Sequence, residues 1–274
     1  MSNETIEKIE PTVIPISQGD RYRTVGELIE KSRPNDMFYV MLILSSIIIA
    51  GGILTNSIAI IIGGMLVTPL LTPILVVALA LTTGEILLMK STLGLLLNSV
   101  GAIIGGSLVL GLLFGADVQF PIVTNTMTAT FLYFIIAVAS GIAVTYAWVR
   151  KEANEVLPGI AIVVSLVPPL SWVGVGISRG KFDIALTFAI IFILNFIGIV
   201  LGSLIIFSLS QFNRDQVHKA VERKREQMVE KEQKEKEQKL AEKEAAVAQA
   251  AIATQAPQIE VVTTEDETLS KVIN

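Results

Sequence analysis

The residue types that could do chemistry here stand where apolar runs are broken. Thr68-Pro69-Leu70-Leu71-Thr72-Pro73 and Ser165-Leu166-Val167-Pro168-Pro169-Leu170-Ser171 each interrupt a stretch that would otherwise read as one continuous membrane helix. Proline has no amide hydrogen, so Pro69 and Pro73 are expected to leave the carbonyls of Met65 and Pro69 without helical donors, and Pro168 and Pro169 those of Val164 and Ser165. Thr72 is expected to cap a second half-helix with Pro73 at its first position, and Ser171 to play the same part after Pro169. Freed carbonyls can hold a cation. The amides at residues 74–76 and 172–174 would carry the positive end of a helix dipole, which attracts an anion or carboxylate. The plainer alternative is a pair of proline kinks repaired by Ser, Thr and water.

The elements that must position these breaks are membrane helices. The 274 residues are 52% hydrophobic and 17% charged, and the charges nearly avoid residues 37–211. A bilayer core of about 30 Å needs about 20 apolar helical residues per crossing. The runs are continuous instead of alternating, which selects helices over a β-barrel. Six spans are expected, at about 37–54, 58–83, 86–114, 128–148, 157–177 and 184–210, with the second and fifth broken. The first follows a long polar segment and is expected to remain as a span, not a cleaved leader. The segment 58–83 has 26 residues, or roughly 39 Å of helix, which allows a broken crossing or a re-entrant hairpin. Lys31, Arg33, Lys90, Arg150, Lys151, Arg214 and Lys219 fall on one side of this scheme, and the loops 55–57 and 115–127 contain no Lys or Arg. Both termini are therefore expected in the cytoplasm of a multi-pass cell-membrane protein. Arg179 and Lys181 violate the rule.

The third and sixth spans share Asn98-x-x-Gly101-x-x-x-Gly105 and Asn195-x-x-Gly198-x-x-x-Gly202, an offset of 97 residues between 98 and 195. A proline-broken span precedes each, and a plain one precedes that. The unit is three helices used twice, about 37–114 and 128–210, and an odd number of crossings inverts the second copy. Inverted repeats with discontinuous helices point to a secondary transporter with its site between the copies. Gly101, Gly105, Gly198 and Gly202 are expected to let helices approach closely, and the small-residue faces imply a homo-oligomer. An Asn98 or Asn195 amide in hydrocarbon must find a partner, either another helix or a passenger.

At the ends, residues 1–35 read as a cytoplasmic arm with a short amphipathic helix around 24–31, where Thr24 and Glu27 have capping-box spacing. The segment 212–254 reads as a charged cytoplasmic helix supported by Glu230 with Lys234, Glu232 with Lys236, and Glu235 with Lys239. A coiled-coil seam fails there, because stepping by sevens from Val221 gives Met228 and then Glu235. Residues 255–274 have the composition of a disordered tail. His218 is expected to be solvated and Glu85 to be an interfacial helix-start acid. No Asp, Glu, Lys, Arg or His stands mid-span, so an enzyme is not expected: no catalytic residue, cofactor or metal is assigned. With no cysteine, thiol catalysis and Cys-ligated metals are excluded. The net charge of −4 gives no reason to expect nucleic acid as a partner.

The run Ser45-Ser46-Ile47-Ile48-Ile49-Ala50-Gly51-Gly52-Ile53-Leu54-Thr55-Asn56-Ser57, continuing through Ile62-Gly63-Gly64-Met65-Leu66-Val67-Thr68-Pro69-Leu70-Leu71-Thr72-Pro73-Ile74, resembles the core of the domain-of-unknown-function 389 (DUF389) family of hydrophobic membrane proteins. So does Leu157-Pro158-Gly159-Ile160-Ala161-Ile162-Val163-Val164-Ser165-Leu166-Val167-Pro168-Pro169-Leu170, with Asn195 downstream. The resemblance covers about 37–210 and leaves out the charged tail. It implies a fold and carries no established activity with it.

These readings converge on an all-α polytopic membrane protein that is a transporter or channel-like facilitator for a small ion or polar metabolite. The expected lining is Thr68, Pro69, Thr72, Pro73, Ser165, Pro168, Pro169, Ser171, Asn98, Asn195, Asn56 and Ser57. The competing class is a membrane scaffold whose charged helix recruits a partner.

Overall fold

A computed structural model describes residues 18–32, 34–120, 127–150, 166–210 and 212, and single positions and short stretches between 217 and 241. The described residues form helices: α1 (Gln18–Lys31), α2 (Asp36–Leu54), α3 (Ile58–Val67), α4 (Leu71–Thr83), α5 (Ile86–Phe114), α6 (Met127–Val149), α7 (Val167–Ser178) and α8 (Phe182–Leu209). A 3-10 turn, Gly115–Asp117, follows α5. Four of these helices, α2, α5, α6 and α8, are long and apolar enough to cross a membrane; α3 and α4 qualify as a fifth crossing taken together, with a bend of 55° between them. The fifth predicted crossing, 157–177, is represented by α7 alone, 12 residues long. Residues 151–165, with the first half of that segment, lie outside the described residues.

The chain divides into two units, Met1–Lys224 and Arg225–Asn274. In the second, Glu230 and Lys234 pair at 2.6 Å as their spacing predicts. The hydrogen bond from Lys234 holds the Glu230 carboxyl below its usual range. Glu232, Glu235 and the tail 255–274 lie outside the described residues, as does residue 228 of the tested heptad.

In the first unit, α4 and α7 form the centre. Pro73 to Ala80 of α4 and most of α7 are buried on every side, as expected of helices apolar all round. The α5 helix packs on α2, α4 and α7, and α8 packs on α4, α6 and α7. Close glycine contacts give the directions. Gly52 lies against Ile61 and Gly64 against Ile48 and Ile49, so α2 and α3 are antiparallel. Gly174 lies against Ser107 and Leu108 and Gly111 against Val175 and Ser178, so α5 and α7 are parallel. Gly198 lies against Ala137 and Val138, and Gly202 against Gly141 and Ile142, so α6 and α8 are parallel as well. Gly84 (φ +71°) closes α4 and Gly180 (φ +68°) closes α7. At each, the following amide returns to the helix, Glu85 to the Ala80 carbonyl at 3.0 Å and Lys181 to that of Gly176 at 2.8 Å. This is the glycine cap that ends a helix without orphaned carbonyls.

Several expectations need correction. The amphipathic helix begins at Gln18, not at Thr24; Thr24 is buried inside it and Glu27 pairs with Arg23 at 3.0 Å, so no capping box forms. The helix is amphipathic: Val25, Leu28 and Ile29 are buried while Tyr22, Glu30 and Lys31 are exposed, and Lys31 Nζ sits 4.8 Å over the Trp148 ring. His218 is half-exposed yet bridges Glu85 (3.2 Å) and Glu222 (3.1 Å), because the segment holding it returns over the α4–α5 turn. Gly101 and Gly105 pack on nothing; a Cβ at either would be in open space, whereas Gly198 and Gly202 are pressed against α6.

The α6–α8 contact is the tightest consequence of this arrangement. Gly202→Leu is expected to destabilise the protein by about 1–3 kcal/mol or more through overpacking against backbone, read as a fall in thermal stability in detergent. Gly105→Leu, at the matching repeat position, is expected to leave that stability unchanged.

Candidate functional site

The two breaks differ once folded. At the first, the Thr68 hydroxyl donates to the Gly64 carbonyl at 3.0 Å and the Thr68 amide to the Met65 carbonyl at 3.3 Å. The carbonyl expected to be orphaned by Pro69 therefore has a donor, and the hydroxyl repairs the turn. The next helix begins at Leu71 with Leu70 as its cap residue, so Thr72 and Pro73 lie inside its first turn and Thr72 is not the N-cap.

At the second, α7 starts at Val167 after Leu166, which puts Pro168 and Pro169 in the first turn and Ser171 in the second. Ser171 is accordingly not a cap. It is fully buried and its hydroxyl has no hydrogen-bond partner among the described residues, as is true of Ser107 on α5. Residues 172–174 are helix interior, so their amides do not face a gap. The three leading positions offer only the Val167 N–H, because prolines occupy the other two. This helix start is blunted as an anion site. Ser165 lies outside the described residues.

A cavity of about 300 Å³ opens at this second break, lined by α6 (Tyr133, Ile136, Ala137), α7 (Pro168, Pro169, Trp172) and α8 (Phe188, Ile191, Asn195, Ile199). Three predicted site residues, Pro168, Pro169 and Asn195, meet in its wall. Thr68, Pro69, Thr72, Pro73, Ser171, Asn98, Asn56 and Ser57 are not part of that wall. Asn98 is exposed on α5. Asn56 adopts a left-handed conformation (φ 51°) in the α2–α3 turn, where the Ser57 amide returns to the Gly52 carbonyl at 2.8 Å; both residues serve the turn.

The aromatic wall was not anticipated. Trp172 stacks on Phe188 with ring centroids 5.5 Å apart and an angle of 13°, and Phe120, in the segment after the 3-10 turn, lies 5.9 Å from Trp172. The signal was present: Phe188, Ile191, Asn195 and Ile199 recur at helical spacing and face one way. Among the lining residues there is no carboxylate or basic side chain. The polar groups are the Asn195 amide, the Tyr133 hydroxyl and the Trp172 indole N–H, which can orient a small polar guest inside apolar walls.

A family model described as domain of unknown function (DUF389) matches residues 65–201, a narrower span than the 37–210 of the sequence resemblance. The chain is 28% identical over 205 residues to the uncharacterized protein MJ0678 of Methanocaldococcus jannaschii, an alignment covering 75% of this chain and 62% of that protein. The chain thus spans less than two thirds of that relative's length. No solved structure matches it.

The chain holds two tryptophans, Trp148 and Trp172. With Trp148→Phe in place, acrylamide is expected to quench Trp172 emission in liposomes, since a cavity with polar groups admits water. Adding Ala137→Phe is expected to fill the space and reduce that quenching about twofold.

Proposed function

This chain belongs to the DUF389 family, and on that premise we propose that it is a secondary transporter or channel-like facilitator for a small ion or polar metabolite, bound between α6, α7 and α8. The observation that carries the reading is the 300 Å³ cavity at a proline-interrupted helix start, with Asn195 in an otherwise apolar and aromatic wall. The far end of α7 lies level with the end of α5, since a Cβ at Gly115 would be 3.2 Å from Arg179 Cδ. Twelve residues of α7 reach about 18 Å from there, near the middle of a core about 30 Å thick. A broken helix at that depth is tolerated where protein or water encloses it. The blunted start of α7 weighs against an anion and favours a neutral or cationic passenger.

Two inverted three-helix units accompany this reading, one of α2, α3 with α4, and α5, the other of α6, the segment ending in α7, and α8. The glycine turns at Gly84 and Gly180, each opening a long helix, support it, as do the burial of α4 and α7 alike. Rocking of one unit against the other would alternate access to the cavity. With both termini cytoplasmic, Arg179 and Lys181 would stand at the outer mouth.

The test is mass-resolved uptake by proteoliposomes from a mixture of small ions and metabolites. Trp172→Ala and Asn195→Leu are each expected to cut flux roughly tenfold, the effect of losing about 1.4 kcal/mol of passenger binding. Deletion of residues 225–274 is expected to leave flux intact. Flux equal to the parent in both site variants would refute the proposal, and absence of flux altogether would favour the scaffold.

A further inference from the structure

His218 joins two parts of the chain that lie far apart in sequence. It stands beyond the end of α8, in a stretch that is helical at 217–219 and 221–223. Apolar contacts seat this stretch. Phe212 packs edge-on against Phe207 with ring centroids 5.3 Å apart, Val217 is fully buried, and Val221 packs against the same core. His218 and Glu222, each one residue past a valine and four apart, share the neighbouring helical face. The imidazole Nδ1 lies 3.2 Å from Glu85 in the α4–α5 turn, and Nε2 lies 3.1 Å from Glu222. Glu85 is buried, whereas His218 and Glu222 are open to water.

Counting hydrogens makes this arrangement conditional. An ionised carboxylate only accepts, and a neutral imidazole carries one N–H, so it serves one carboxylate and turns a lone pair toward the other. Two contacts need two hydrogens. The second is a proton taken up from solvent, held on the ring as imidazolium or shared with a carboxylate. Among the described residues, the charged groups against the ring are Glu85 from the α4–α5 turn and Glu222 from its own stretch, both acidic. Lys219 and Arg223 are exposed on that stretch, Lys90 is exposed on α5, and Glu85 has a further interaction besides.

We propose that His218, Glu85 and Glu222 form a proton-operated clasp, closed when the cluster holds one proton more than the neutral ring supplies and open without it. Closed, it fixes the stretch after α8 to the turn that joins α4 and α5. Open, it leaves that stretch to its apolar contacts. The sign follows from the proton count: closure is favoured at low pH and weakens as pH rises through the interval of about pH 5 to 8 in which imidazole changes charge. The clasp is independent of what the cavity binds.

The chain has no cysteine, so Arg223→Cys accepts a single nitroxide label one residue past Glu222. Its electron paramagnetic resonance spectrum in liposomes is expected to show a restrained label at about pH 5.5 and a mobile one at about pH 8.5. The restrained-to-mobile ratio is expected to fall by up to about tenfold per pH unit, the limit for one linked proton. A label at Lys90→Cys on α5 is expected to give the same spectrum at both values. His218→Lys, a cation throughout this range, is expected to keep the Arg223 label restrained at both. His218→Gln and Glu85→Gln are each expected to abolish the step. The proposal is overturned if the Arg223 label does not respond to pH in the parent background, or if the step survives in any of these three variants, which would assign it to another group. His218 is exposed, so its two variants leave the core untouched and decide the matter even if Glu85→Gln fails to fold.

Discussion

Backbone polar groups cannot go unpaired in hydrocarbon, and the described helices of the first unit pack around the short helices α4 and α7. The short helices α4 and α7 begin next to prolines and are the least exposed of the described helices. Both are packed against the longer helices α5 and α8. Their other ends are closed by left-handed glycines that return amides to the last turn. At Thr68 the backbone amide supplies the Met65 carbonyl with the donor that proline withholds, and the hydroxyl donates to the Gly64 carbonyl. Where the break consists of adjacent prolines, at Pro168 and Pro169, the surrounding helices stand apart and leave a cavity.

That difference between two similar breaks has a cause in packing. Tight approach of α6 to α8 through Gly141, Gly198 and Gly202 holds Asn195 toward α7. On α5 the equivalent approach to α2 is made at Gly106 beside Ser46, one residue past Gly105 and so turned about 100° around the helix, while Gly111 meets α7. Asn98 consequently points away from the centre while Asn195 lines the cavity. One pattern of residues has two environments, because a helical face acquires meaning only from what lies opposite.

The chemistry of the cavity follows from what its elements can bring. Apolar helices supply aromatic and aliphatic walls, a single amide, a phenol and an indole. Of the four free N–H groups that open an ordinary helix, the start of α7 lacks two, because Pro168 and Pro169 carry none. Recognition of a small guest by shape, one or two hydrogen bonds and aromatic faces is consistent with that inventory.

Membership in the helical membrane class was legible from composition and from the length of the apolar runs, since the bilayer demands both. The bend between α3 and α4 was legible from proline, and the Glu230–Lys234 pair from its four-residue separation. What the sequence could not settle were rotations and neighbours: that α1 buries its Val25 and Leu28 face, that His218 meets Glu85, that Trp172 and Phe188 stack, and that Asn98 and Asn195 face opposite ways. Periodicity tells which residues share a face of one helix. Only the tertiary structure decides what that face meets, because contacts between segments far apart in the chain depend on how several helices pack at once.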